Sequence, residues 1–126
     1  MEVNFEELKG KTITEISNCE KGKDVMSITC SDGSSYQLLH YEDCCESVDI
    51  EDVDGEINDL IGTPILLAEE VSNSDENPEG VPVPEYQDSW TWTFYKLSTI
   101  KGSVTIRWYG QSNGYYSERV SFVKLK

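Results

Sequence analysis

Apolar residues recur at every second position over much of the chain, most clearly between Ser89 and Val123. Trp90, Trp92 and Phe94 alternate with Thr91, Thr93 and Tyr95. Val104, Ile106 and Trp108 alternate with Thr105, Arg107 and Tyr109, and Val120 and Phe122 continue the pattern. A period of two in β-branched and aromatic residues predicts three strands. A short loop at Thr99, Ile100 and Lys101 sets Phe94 opposite Ile106 and Trp92 opposite Trp108, gathering the large apolar groups on one face. Asn113-Gly114, two residues that tolerate positive φ, is the expected second turn of a three-stranded meander.

The rest of the chain carries weaker versions of the same signal. Asn4 to Lys9 is a short helix capped by Asn4 and ended by Gly10. Strands are expected at about Thr12 to Glu20, Asp24 to Cys30 and Ser35 to Tyr41, with turns at Lys21-Gly22 and Asp32-Gly33. A three-residue bulged loop at the second turn sets Met26 against His40, Ile28 against Leu38 and Cys30 against Tyr36, which keeps the faces unmixed and places His40, the only histidine, beside apolar residues. Further strands are expected at Glu46 to Glu51 and Ile65 to Val71, with a helical turn at Glu56 to Ile61 facing Ile57, Leu60 and Ile61 inward. Ser72 to Asp88 holds three of the four prolines and many carboxylates, and is expected to be a disordered acidic loop. The fold class that follows is mainly β: one domain over residues 1–126, with antiparallel sheets forming a bent sheet, a sandwich or a partly open barrel, and one or two short helices.

Charge changes the functional picture. The 126 residues carry a formal net charge of −14, and between Asp24 and Tyr95 stand 18 Asp and Glu with no Lys or Arg. Such a field repels nucleic acid and anionic membranes and accelerates association with basic proteins. Direct nucleic-acid binding and membrane association are therefore not expected. With no signal pattern at the N-terminus, the expected compartment is the cytoplasm, where the four cysteines stay reduced.

Three constellations carry candidate chemistry. The first is the acidic surface of Asp43, Glu46, Asp49, Glu51, Asp52, Asp54, Glu56, Asp59, Glu69 and Glu70, suited to a basic protein partner. The second is the polar face of the C-terminal strands, where Arg107, Arg119, Tyr95, Tyr109, Tyr115 and Asn113 offer forked donors and aromatic rings to a small anionic ligand such as a signalling nucleotide. Both arginines of the chain lie here; the alternative is ordinary cross-strand pairing with carboxylates such as Glu118. The third is His40, Cys44 and Cys45 with Asp43 and Glu46, which have the ligand chemistry for a metal or thiol site. Their spacing does not suit an ordinary zinc site, a bond between adjacent cysteines is expected to be strained, and two structural cysteines at a strand bend are the favoured reading. The DIEDVDGE run lacks the offsets of a calcium loop, and neither a nucleophile–base pair nor a phosphate-cradling glycine loop stands out. No enzyme and no cofactor are expected.

The stretches HYEDCCESVDIEDVDG, TPILLAEEVSN and SWTWTFYKLSTIKGSVTIRWYGQSNGYYSERVSF together resemble a family of small uncharacterised bacteriophage domains with HxxDCCExVxIED and WTFYxxxTxxGxVTIRWxGxSNGYYSExV elements. The matching positions include His40, Asp43, Cys44, Cys45 and Glu46, and Arg107, Trp108, Asn113, Tyr115, Tyr116 and Glu118. The resemblance implies a viral accessory protein acting in the cytoplasm of a bacterial host, and it carries no catalytic residues. The leading expectation is thus a non-enzymatic, anti-CRISPR-like inhibitor of host defence that binds a basic protein surface. A sponge for a small anionic ligand is the alternative, and the thiol or metal site comes third. An exposed sheet edge also leaves room for a homodimer.

Overall fold

Period-two segments become strands wherever a turn lets them pair. The computed structural model describes residues 1–74, 76–81, 83, 89–114 and 116–126. It contains β1 (Ile13–Ser17), β2 (Val25–Cys30), β3 (Ser35–Leu39), β4 (Ser47–Asp54), β5 (Leu67–Ser74), β6 (Ser89–Thr99), β7 (Gly102–Ser112) and β8 (Ser121–Lys124). Two antiparallel four-stranded sheets form, one in the order β1-β2-β3-β8 and the other in the order β4-β7-β6-β5. Their inner faces share one core, as the mainly β expectation requires. Met26, Ile28, Tyr36, Leu38 and Phe122 come from the first sheet, and Val48, Ile50, Tyr95, Leu97, Val104, Ile106 and Trp108 from the second.

The helical segments are single 3-10 turns that plug this core. At Phe5–Leu8, the Asn4 side chain accepts from the Glu6 N–H at 2.8 Å, while Phe5 and Leu8 are buried. Phe5 lies 4.7 Å from the Tyr95 ring and 5.1 Å from Phe122, bridging the sheets. At Ile57–Leu60, Leu60 is buried and Ile57 and Ile61 pack against the core, as their spacing predicts. Among the described residues no helix is long and apolar enough to cross a membrane.

Four expectations are corrected. The β6–β7 turn takes two residues, Ile100 and Lys101, so Thr99 pairs with Gly102, Tyr95 with Ile106, Thr93 with Trp108 and Phe94 with Arg107. This one-residue slip exchanges the faces of β6: Tyr95 and Leu97 enter the core, while Trp92 and Phe94 join Arg107 and Tyr109 outside. Second, β2 and β3 pair two residues away from the expected register, Met26 with Leu38 and Ile28 with Tyr36; the parity is preserved, so the faces are as predicted. Third, the C-terminal strands are not a meander, because β8 leaves β7 and pairs with β3. Fourth, Ser72–Ser74 belongs to β5 rather than to a disordered loop, and the Trp90 and Trp92 indoles hold Glu76 and Asn77 by hydrogen bonds. The remainder of the expected 72–88 loop lies partly outside the described residues.

Candidate functional site

The HxxDCCE element folds around its glutamate. Glu46 follows the exposed Tyr41–Cys45 segment, yet its own side chain is fully buried. The carboxylate accepts the backbone N–H groups of Asp43 and Cys44, each at 2.9 Å, and His40 Nε2–H at 2.7 Å. These donors hold its pKa down to about 2, the backbone N–H bonds contributing most. His40 Nδ1 lies 2.6 Å from the Arg119 carbonyl, so the ring bridges Glu46 to the segment before β8.

That geometry corrects three expectations. Glu46 is not part of the acidic surface, because its charge is spent on internal donors. His40 stands beyond the end of β3 between a carboxylate and a carbonyl rather than opposite Met26. Cys44 and Cys45 are joined by a disulfide instead of staying reduced. Bonded to each other, the two sulfurs are not thiolate ligands, and no cluster able to hold a metal occurs among the described residues. Cys19 and Cys30 are free thiols; burial pushes Cys19 up to about 12 and also raises Cys30.

The six residues of the expected anion-binding face do not share one surface. Arg107 and Tyr109 lie on the outer face of the second sheet. Arg107 donates to both oxygens of Glu51, Nε at 2.8 Å and Nη2 at 3.1 Å, with Asp52 at 3.6 Å and the Trp92 ring 5.6 Å away. Trp92 packs 4.5 Å from Tyr109 and is buried although it faces outward, with its N–H donated to Asn77 at 3.0 Å. The cross-strand reading of Arg107 therefore describes its geometry, with Glu51 as the partner. Tyr95 is displaced into the core by the register of β6, where burial pushes its phenol far above the usual range. Asn113 is exposed at the turn after β7, and Tyr115 lies outside the described residues.

Arg119 occupies a different place, beside the inner face of the second sheet. Its guanidinium pairs with Glu2 and stands between two adjoining clefts. One, of about 340 Å³, is lined by Glu2, Phe5, Glu6, Glu70, Arg119 and Phe122. The other, of about 410 Å³, is lined by Glu70, Ser72, Ser74, Thr91, Glu118 and Arg119. Glu118 accepts from Thr91 at 2.8 Å and Ser112 at 2.6 Å. Close approach fixes this wall: a Cβ on Gly110 would stand 2.9 Å from the Glu118 carbonyl oxygen and 3.0 Å from Val48. The clefts were not legible in the sequence, since they depend on β8 crossing to the other sheet.

The sequence profile of a domain of unknown function, DUF7448, matches residues 6–122. The chain belongs to the DUF7448 family. The matched span takes in the Glu46 loop and β1 to β7 and ends within β8. Comparison with curated proteins and with solved structures returns no match.

The acidic residues of the DUF7448 domain divide between the two outer strands of its second sheet. Asp49, Glu51, Asp52 and Asp54 lie on β4, followed by Glu56 and Asp59; Glu69 and Glu70 lie on β5. Asp43, Asp54, Glu56, Glu69 and Glu70 are exposed, Asp49, Asp52 and Asp59 half-buried, and Glu51 turned to Arg107. Burial, and then Asp24 across from it, raise the Asp49 carboxyl.

Proposed function

We propose that this domain acts by binding, not catalysis, and that its acidic surface engages a basic patch on a host bacterial protein, as a phage-type accessory protein inhibiting host defence would. The observation that carries the reading is the exposure of Asp43, Asp54, Glu56, Glu69 and Glu70 within a 24–95 stretch that contains no Lys or Arg. Carboxylates left in water at this density set up a negative field that steers basic partners and repels polyanions. The division of the arginines supports binding through acid over capture of a small anion, because Arg107 is committed to Glu51 and Arg119 to Glu2 on opposite faces of the second sheet.

The test is a pull-down from bacterial lysate at low and high salt, repeated with D54N/E56Q/E69Q/E70Q. The expected result is a basic protein retained at low salt, released by high salt and lost in the variant. Retention indifferent to both salt and neutralisation would overturn the reading, and a co-purifying nucleotide without a protein partner would replace it with ligand capture.

A further inference from the structure

We propose that β5 is a docking edge for an extended peptide segment in which basic and apolar residues alternate. This rests on the acidic-binding reading above and specifies where and how the partner attaches. Strand β5 terminates its sheet, so one side of its backbone pairs with β6 and the other with no strand. Among the described residues no backbone hydrogen bond reaches Leu67–Ser74 from that second side, and only Ala68 of the strand is buried. Edge strands are usually blunted by lysine, proline or a bulge that discourages a further strand. β5 has neither residue, and it runs in unbroken register against β6.

The two faces of the strand ask for different side chains. Glu70, Ser72 and Ser74 share the face of buried Ala68 and line the clefts, where, among the described residues, Glu2, Glu6, Glu70 and Glu118 outnumber the one cation, Arg119, which is paired with Glu2. The buried Tyr95 hydroxyl lies beside Glu70. On the opposite face Leu67 and Val71 are 37% and 40% exposed, with exposed Glu69 between them. A strand added to this edge points alternate side chains to the two faces. Lysine or arginine suits the cleft side, and valine, isoleucine or leucine the other. A second copy of this chain is a poorer occupant: two-fold pairing centred on Glu69 or Glu70 sets that carboxylate opposite its own copy, and like charges across a ladder oppose pairing.

The probe is a nine-residue peptide of alternating lysine and valine, compared with the same peptide N-methylated at alternate residues so that one edge cannot donate backbone hydrogen bonds. Binding is followed by fluorescence anisotropy, and hydrogen exchange reports on the β5 amides. The unmethylated peptide is expected to bind and to slow exchange of alternate β5 amides that exchange fast in the free domain. The methylated peptide is expected not to bind, and E69Q/E70Q to weaken binding by about five-fold at low salt. Equal binding of both peptides would overturn strand addition while leaving charge-driven binding standing. Protection of all β5 amides in the free domain, a dimer that seals the edge in sedimentation, or no binding of either peptide would also overturn the proposal, the salt-dependent pull-down then judging the acidic reading on its own.

Discussion

Replacing Arg107 separates a structural tie from a ligand site. The guanidinium makes a forked bond to Glu51 at 2.8 and 3.1 Å, and the two side chains are only 20% and 22% exposed. Charged hydrogen bonds of this kind are worth about 1.5–3 kcal/mol, less here because the pair keeps some contact with water. Contact with the Trp92 face adds about 0.5–1 kcal/mol, and the stem that covers the ring adds a similar amount. Regained side-chain freedom offsets part of this, so Arg107→Ala should cost about 3 kcal/mol. With a urea m-value of about 2 kcal/mol per molar, the unfolding midpoint should fall by roughly 1.5 M. Arg107→Lys should lose about half as much, since it keeps the charge but not the fork. The Arg107→Ala and Glu51→Gln cycle should show a coupling of about 1–2 kcal/mol. A variant within about 0.5 kcal/mol of wild type, with nucleotide binding present in the wild type and abolished in the variant, would refute the reasoning and restore Arg107 to a binding role.

The Glu46 loop has a pH signature. With its folded pKa at about 2, below the ordinary 4.5, Glu46 contributes stability that is fully present above about pH 4.5 and disappears as pH falls through 2. Exchange protection at the Asp43 and Cys44 amides should follow that curve, and Glu46→Gln should remove the protection at every pH; unchanged protection in the variant would contradict the hydrogen bonds described. Alkylation at about pH 8 should leave the native chain almost unlabelled, because Cys44 and Cys45 are bonded and Cys19 titrates near 12, and reduction should expose two reactive thiols. Immediate labelling of the unreduced protein at Cys44 and Cys45 would contradict the bond. Gly110→Ala should cost about 1–3 kcal/mol, read as a drop of several degrees in Tm, because the Glu118 backbone must move away from β7. No loss of stability would show that the wall of the Arg119 cleft is loose.

The strands were legible in the sequence because period two survives burial of one face, and β7 obeyed it fully: Val104, Ile106 and Trp108 are all in the core. β6 misled the same rule. Its largest apolar residues, Trp90, Trp92 and Phe94, face outward, and Trp92 is nevertheless buried, with Tyr109, Arg107 and Asn77 against it. Hydrophobicity alone cannot tell a core from a covered outer face, and here the two-residue turn at Ile100-Lys101 decided the register. The site was less legible. Glu46 was one carboxylate among many until the backbone bent round it, although a glutamate closing a short HxxDCCE loop is the right length to accept the N–H groups two and three residues before it. Arg119, Glu2 and Glu70 converge through contacts that span most of the chain, and no local pattern announces them.

The most direct test of the acidic-binding account is titration calorimetry of the captured partner into the wild-type domain at about 0.05 M and about 0.3 M salt, since screening over that range shortens the reach of exposed charges from beyond 10 Å to within about 6 Å. The account predicts a Kd at least ten-fold weaker at the higher salt, with little of that dependence left in D54N/E56Q/E69Q/E70Q. An affinity unchanged by salt, or a neutralised variant that binds as tightly as wild type, would contradict it.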